Sequence, residues 1–240
     1  MSALTYHNDP ALKAAFLEQI TAHEQADRII QGEYWDGFKG CAVGCSVESL
    51  NHINGTTYKH GDHAAYAEAL GIPEWLARLE DTLFEGLPVA VAKGWPRRFA
   101  EAIPVGVDLE PVRHRFAVFL MDHNTTTVAA LDIDESQRAR VLAAIAQTKA
   151  VHADALVTGA WDRAAAGIAY SAACWSADSA AYSAGHSAAL RSAAYSAAYS
   201  AAHSAHSAAY SAYWSADSAA DSAGCERDAD QLIDLLKAVQ

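Results

Sequence analysis

The spacing of hydrophobic residues along the chain predicts helices and no series of strands. After Asp9-Pro10, apolar residues recur every three or four positions as far as Ile30, which is the period of one helix face. The same period returns from Trp75 to Phe84 and again after Asp134. No convincing series of segments alternates between polar and apolar residues, as half-buried strands do. The sequence therefore predicts an all-α fold.

Caps and helix breakers set the predicted helix limits. Residues 9–31 are predicted as one helix that ends at Gly32, and CAVGCSVESLNH as a shorter one. The helix that starts at Ile72-Pro73 has one apolar stripe and one polar side. The stripe is Trp75, Leu76, Leu79, Leu83 and Phe84, and the polar side is Arg78, Glu80, Asp81 and Glu85. The segment NTTTVAALDID is predicted as an extended connector.

The composition changes near residue 159. Beyond it, nearly every residue up to Gly224 is Ala, Ser, Tyr, His, Trp or Asp, and the closing ERDADQLIDLLKAVQ regains an amphipathic pattern. We therefore expect two domains. Residues 1–158 form a compact helical globular domain, and residues 159–240 form a long Ala/Ser-rich helical arm that ends in an amphipathic helix.

The arm carries an eleven-residue (hendecad) repeat. From residue 196 to 222, serines recur at spacings of four, four and three, and an alanine follows each serine. Eleven residues make three helical turns plus about 20°, so the stripes hardly drift around a helix. We expect 187–223 to form one helix whose alanine stripe packs against residues 161–184, folded back at Gly185. The predicted packing residues are Ala197, Ala201, Ala205, Ala208, Ala212, Ala216 and Ala219.

The charge balance narrows the choice of partners. The formal net charge is −12, whereas nonspecific binding to nucleic acid or to an anionic membrane requires a basic surface. No stretch approaches the roughly 18 apolar residues of a membrane span, and the first residues lack the pattern of a signal peptide. We therefore expect a cytoplasmic protein with reduced cysteines, without nucleic-acid or membrane partners, and without a disulfide between Cys41 and Cys45.

Several stretches in combination resemble a known group of proteins. The run EYWDGFKGCAVGC, the phrase LGIPEWLARLEDTLFEGLP, the Ser-Ala repeat and the closing LIDLL helix resemble uncharacterised bacterial and bacteriophage proteins. Those proteins share a globular N-terminal part and a Ser-Ala-Ala-aromatic tail. The resemblance spans nearly the whole chain and implies a prokaryotic or phage cytoplasmic setting. It implies no activity and no functional residues.

Two cysteines and two histidines form the candidate chemical site. Cys41 and Cys45 lie one helical turn apart, with His52 and His63 soon after them, and thiolate with imidazole ligands suits zinc. The C-x3-C spacing departs from the C-x2-C spacing that is usual in zinc sites. A structural alternative is that Cys41 and Cys45 are small buried side chains in a tight packing site beside glycine. A third hypothesis makes Cys41 a nucleophile at a helix N-terminus, with His52 or His63 as its base. Apart from this possible zinc, we expect no cofactor.

Aromatic residues crowd the glycine-rich loop that precedes Cys41. Tyr34, Trp35 and Phe38 fall within residues 33–40, among three glycines from Gly32 to Gly40. Binding residues are concentrated on loops that a rigid scaffold positions. The sequence therefore predicts that these rings belong to a functional surface or its lid.

Two functional hypotheses follow from the sequence. The first is a non-catalytic binding or assembly protein whose Ala/Ser arm self-associates into an oligomer or docks on another protein. The alternative is a thiol- or metal-dependent enzyme or metal-binding protein with its site near Cys41, Cys45, His52 and His63. Whether the protein is an enzyme stays open at this stage.

The alanine stripe yields a testable prediction. Ala208→Leu places a bulky side chain in the middle of the stripe, so we expect overpacking to lower the free energy of unfolding by roughly 1–3 kcal/mol. The same substitution at an exposed alanine should cost little. Thermal melting and the mass in solution measure the effect, and the packing hypothesis is wrong if neither changes.

Overall fold

The computed structural model describes residues 4–132, 134–182 and 222–239, and its regular structure is helical. Within those ranges no strand forms, and the only extended pairing is an isolated parallel bridge between Ile29 and Gly40. The predicted all-α class is therefore confirmed. The predicted helix at 187–223 and its alanine stripe, Ala197 to Ala219, lie outside the described residues apart from the last two positions, 222 and 223.

Ten α-helices lie within the described ranges, after a short turn at Thr5–Asn8. They are α1 (Pro10–Gln25), α2 (Ala42–Asn54), α3 (Ala64–Leu70), α4 (Glu74–Gly86), α5 (Val89–Ala92), α6 (Trp95–Ala102), α7 (Glu110–Ala130), α8 (Glu135–Thr158), α9 (Arg163–Tyr182) and α10 (Ser222–Lys237). The chain divides into two compact units, Met1–Val112 with Cys225–Gln240, and Arg113–Gly224. The domain boundary that the composition predicts, between residues 158 and 159, stays a prediction.

Helix α1 is shorter than the hydrophobic spacing predicts. Asp9 caps its start by accepting the Ala11 N–H at 2.8 Å, as expected for an Asp-Pro start. The helix ends at Gln25, and Asp27 then adopts a left-handed conformation with φ of 54°. Because Ile30 N–H donates to Gly40 O at 2.9 Å, the chain beyond Asp27 pairs with the loop and does not continue the helix.

Helix α7 continues to Ala130, so residues 124–130 of the segment NTTTVAALDID form its last turns and are not part of an extended connector. Thr125 and Thr127 donate their hydroxyls to the carbonyls of Met121 and His123, four residues earlier. This back-bonding satisfies the hydroxyls inside a helix. Val128 is fully buried, so tertiary packing outweighs the low helix propensity of three successive threonines.

Helix α4 buries more of its circumference than its sequence pattern indicates. The apolar stripe is buried as predicted, but Glu80, assigned to the polar side, is also fully buried. Helices α2, α3 and α6 all pack against α4, so little of its circumference faces solvent. Burial raises the pKa of Glu80 well above its usual value, and the Tyr66 hydroxyl donates to Glu80 Oε2 at 3.3 Å. Burial thus favours the protonated form of Glu80.

The loop before α2 crosses the first turn of that helix at very close range. A Cβ built on Gly40 would lie 2.0 Å from the backbone oxygen of Tyr34, and one built on Gly44 would lie 1.5 Å from the same atom. Only glycine leaves room for a backbone at these two positions. The loop therefore lies directly on the N-terminal end of α2 and brings Tyr34 next to Cys41.

Helix α10 belongs to the first unit from Cys225 onward and has the amphipathic pattern that the sequence predicts. Leu232, Ile233 and Leu236 are buried, and Arg98 forms an ion pair with Asp230 at 2.5 Å. Asp228 is also fully buried, and burial raises its pKa to about 6. Its Oδ1 accepts from Arg227, whereas its Oδ2 accepts no hydrogen bond within the described structure. A buried carboxylate thus weakens the packing of α10 at neutral pH.

The second unit is built on close packing between α8 and α9. Ala166, Ala169 and Ala173 follow each other at helical spacing on α9 and are at most 3% exposed. Small side chains of this kind let helix axes approach closely. Where α8 ends, the Trp161 ring lies 5.4 Å from that of His114 and 5.0 Å from that of His152. None of the described helices is both long and apolar enough to cross a membrane.

Two glycine-to-alanine substitutions test the close approach of the loop to α2. Gly44→Ala should lower the free energy of unfolding by roughly 1–3 kcal/mol, because the new methyl group would overlap the Tyr34 backbone. Gly167 lies inside α9 with no atom within 4 Å of a built Cβ, so Gly167→Ala should raise stability by roughly 0.5–1 kcal/mol. Calorimetric melting of both variants measures the effects, and equal shifts would contradict the predicted overlap.

The buried carboxyl of Asp228 predicts a specific pH dependence. The Asp228 carboxyl has a pKa of about 6 in the folded state, whereas an aspartate in an unfolded chain has a pKa of about 3.9. The folded state therefore binds the proton more tightly than the unfolded state does. Stability is therefore lost as the pH rises from about 4 to above 6, by about 3 kcal/mol in total.

Asp228→Asn removes this ionisation from both states. Between pH 4 and pH 7, the free energy of unfolding of the wild type should fall by about 2 kcal/mol relative to that of the variant. Denaturant titrations of the two proteins measure this difference. Parallel pH profiles would show that Asp228 does not ionise within the core.

Candidate functional site

A cleft in the first unit brings together the loop, the start of α2 and the polar side of α4. Its volume is about 220 Å³, and it is lined by Gly32, Glu33, Tyr34, Cys41, Asp81 and Glu85. Three of these residues come from the loop, one from the cap of α2 and two from α4. The cleft therefore depends on the close packing of the loop on α2.

Cys41 is the N-cap of α2 and is nearly completely buried. Its backbone N–H donates to Glu33 O at 2.7 Å, and its sulfur accepts the Gly44 N–H at 3.5 Å. Burial raises the pKa of the Cys41 thiol far above its usual range, although the Gly44 N–H partly opposes that shift. The thiol is therefore neutral at physiological pH and lacks the thiolate character of a reactive cysteine.

Asp81 lies between Cys41 and His63. Its Oδ2 accepts from His63 Nε2 at 2.9 Å and from the Tyr34 hydroxyl at 3.3 Å. Its Oδ1 faces the Cys41 thiol, with the sulfur 3.8 Å away. Burial, followed by the nearby Asp81 carboxylate, raises the pKa of Tyr34 to about 12, so its hydroxyl stays a donor. Two donors on one oxygen thus hold the carboxylate with its other oxygen toward the sulfur.

Glu85 adds a second carboxylate one helical turn after Asp81. Residues four apart share one face of a helix, so both carboxylates reach the same cleft. Glu85 Oε2 accepts the Gly32 N–H at 2.9 Å, and burial is the main cause of its raised pKa. The sulfur of Cys41 and one carboxylate oxygen each of Asp81 and Glu85 all lie within 4.8 Å of one another.

The cleft carries little compensating positive charge. Among the described residues, His63 is the basic group paired with Asp81, and no lysine or arginine pairs with Asp81 or Glu85. Arg78, on the same helix, is instead paired with Glu74 at 2.6 Å. Two carboxylates beside a buried thiol therefore form a negatively charged cleft that suits a cation.

The structure brings together only part of the site that the sequence predicts. Cys41 and His63 both contact Asp81, but Cys45 lies apart, with its sulfur 3.4 Å from Gly40 O and its pKa raised to about 12 by burial. His52 is exposed near the end of α2. Cys41 and Cys45, like Cys225, are free thiols.

Sequence reasoning missed Asp81 and Glu85, which it assigned to the solvent-facing side of α4. A signal for them exists, because an Asp and a Glu at i and i+4 can offer two carboxylates to one ion. The same spacing is common on solvated helix faces, so it identifies a site only once a third ligand is placed opposite. Cys41 is 40 residues away in sequence, and only the packing of α2 on α4 brings it there.

The three aromatic residues of the loop have different roles. Tyr34 and Phe38 are exposed by 44% and 54%, and of the three rings only that of Tyr34 lines the cleft. Trp35 is half-buried, stacked on His60 with ring centroids 5.3 Å apart. The Arg28 guanidinium lies 4.5 Å from the centre of the Phe38 ring. Trp35 and Phe38 thus fix the loop, whereas Tyr34 contributes to the cleft.

Comparisons with known proteins do not add to this geometry. No family model matches the chain, and neither the curated proteins nor the solved structures include a match.

Proposed function

We propose that the cleft binds a divalent metal ion, with zinc as the ion that best fits the ligand set. The ligands are the Cys41 thiolate and one carboxylate oxygen each of Asp81 and Glu85. The observation that carries the proposal is the convergence of these three ligand atoms within 4.8 Å, from the cap of α2 and one face of α4. Thiolate and carboxylate ligands both occur in protein zinc sites.

The spacing of the ligand atoms supports this proposal. Zinc binds sulfur at about 2.3 Å and carboxylate oxygen at about 2.0–2.2 Å, so a tetrahedral ion separates the two ligand atoms by about 3.6 Å. Cys41 Sγ and Asp81 Oδ1 are 3.8 Å apart. The ion would take the place of the thiol proton that now points at Oδ1, with little movement of either side chain.

Hydrogen-bond donors next to the proposed ligands fix the orientation of the ligands, as such donors do in known metal sites. His63 and Tyr34 hold Oδ2 of Asp81 and leave Oδ1 for the ion, and the Gly32 N–H orients Glu85. Hydrogen bonds of this kind fix ligand orientation and are worth about 10- to 100-fold in metal affinity. His63, predicted as a ligand, is in this proposal a positioning residue.

The other hypotheses have less support from the described residues. A nucleophilic Cys41 needs a lowered thiol pKa and a base in contact with the sulfur, whereas burial raises that pKa and His63 contacts Asp81. Self-association of the Ala/Ser arm, or its docking on a partner, stays a prediction, because most of that repeat lies outside the described residues. The resemblance to bacterial and phage proteins likewise stays a prediction.

Cobalt substitution tests the site directly. Co²⁺ resembles Zn²⁺ in its ligand preferences and has a near-ultraviolet charge-transfer band when a thiolate binds it. Added to untagged protein, Co²⁺ should produce this band with a stoichiometry of about one ion per chain. Cys41→Ser should abolish the band, whereas the matched variant Cys45→Ser should retain it, because the Cys45 sulfur faces backbone carbonyls.

The same titration has a second readout in its pH dependence. Because the raised pKa of Cys41 keeps the thiol protonated at neutral pH, binding must release about one proton. Co²⁺ affinity should therefore rise about tenfold per pH unit between pH 6 and pH 8. Retention of the charge-transfer band in Cys41→Ser, or its absence from the wild type, would show that the proposed ligand set is wrong.

A further inference from the structure

The number of protein ligands separates structural from exchangeable zinc sites. Structural sites are closed by four protein ligands, whereas catalytic sites use three and leave the fourth position to water or substrate. Here three ligand atoms converge, and His63 Nε2 is engaged by Asp81. From these ligands and the cleft beside them we infer that the ion keeps one exchangeable position, which takes a neutral nitrogen or oxygen donor from a cationic, amine-bearing small molecule. This inference rests on the proposed function.

The shape of the site supports an open fourth position. The ligands line a cleft of about 220 Å³ and are not enclosed within the helical core. Exposure rises across the set, from buried Cys41 through partly buried Asp81 to exposed Glu85. Tyr34, 44% exposed, lines the cleft beside them. A ring-sized molecule therefore has both space and access.

The charge of the site selects the kind of molecule. One thiolate and two carboxylates carry three negative charges, and a divalent ion neutralises two of them. Glu33, also exposed and lining the cleft, adds another negative charge. An anionic substrate such as a carboxylate or a phosphate ester would meet repulsion there, whereas an ammonium group would be attracted. The class that fits combines a neutral donor with a positive charge a few ångströms away.

Two pyridines of opposite charge test the inference. In 4-(aminomethyl)pyridine and in isonicotinate, the ring nitrogen is a neutral donor, and the charged group on the opposite side of the ring cannot bind the same ion. Each is titrated into Co²⁺-loaded protein while the visible cobalt bands report the fourth ligand. The sulfur-to-cobalt band reports that the ion has stayed on Cys41.

We expect the cationic pyridine to change the visible bands saturably and to bind about tenfold more tightly than isonicotinate at low salt. Glu33→Gln should bring the two affinities closer together, and because Glu33 is not a ligand, the sulfur-to-cobalt band should persist in this variant. Equal binding of the two pyridines, or tighter binding of isonicotinate, would overturn the charge selection.

The outcomes distinguish failure of this inference from failure of the proposed function. If the sulfur-to-cobalt band forms but neither pyridine alters the visible bands, the site is closed, and only the inference is wrong. If the sulfur-to-cobalt band never forms, the proposed metal site itself is wrong and the inference falls with it.

Discussion

The close contact between the Tyr34 backbone and the first turn of α2 is the constraint on which the cleft depends. Gly40 and Gly44 leave no room for a side chain where the Tyr34 carbonyl crosses the helix. Because the loop lies on α2, the Gly32 N–H reaches Glu85, the Tyr34 hydroxyl reaches Asp81, and the Glu33 carbonyl accepts from Cys41. A loop held farther away would lose all three interactions together. Stacking of Trp35 on His60 supports the same position.

Burial and backbone hydrogen bonding act on the pKa of Cys41 in opposite directions. The end of a helix and the Gly44 N–H favour a thiolate, whereas burial and the adjacent carboxylate favour the thiol. Burial prevails, so the thiol keeps its proton when no cation is bound beside it. A cation between the sulfur and the carboxylates would reverse this balance, because it replaces the proton and offsets the negative charge of Asp81 and Glu85. The proposed cation would also explain why a thiol and two acids share a small cleft.

The periodicity of hydrophobic residues predicts a helix well when only one face of that helix is buried. It fails where several neighbouring elements bury more than one face. It identified α8, α10 and the apolar stripe of α4, because each buries a continuous stripe. It misplaced Glu80, which is buried because three helices surround α4. It also missed the last turns of α7, where threonine hydroxyls bond to carbonyls four residues earlier, an interaction that hydrophobic spacing does not encode.

The sequence by itself determined the all-helical class and the position of most helices in the described ranges, and it placed Cys41 and His63 in one candidate site. Local spacing and caps suffice for these, because they act within one element. Only the tertiary structure decided that Asp81 joins Cys41 to His63, that Glu85 completes the cluster, and that Cys45 and His52 lie elsewhere. The reason is physical: these contacts join residues 18 to 53 positions apart, and helix packing, which local sequence does not specify, sets their distances.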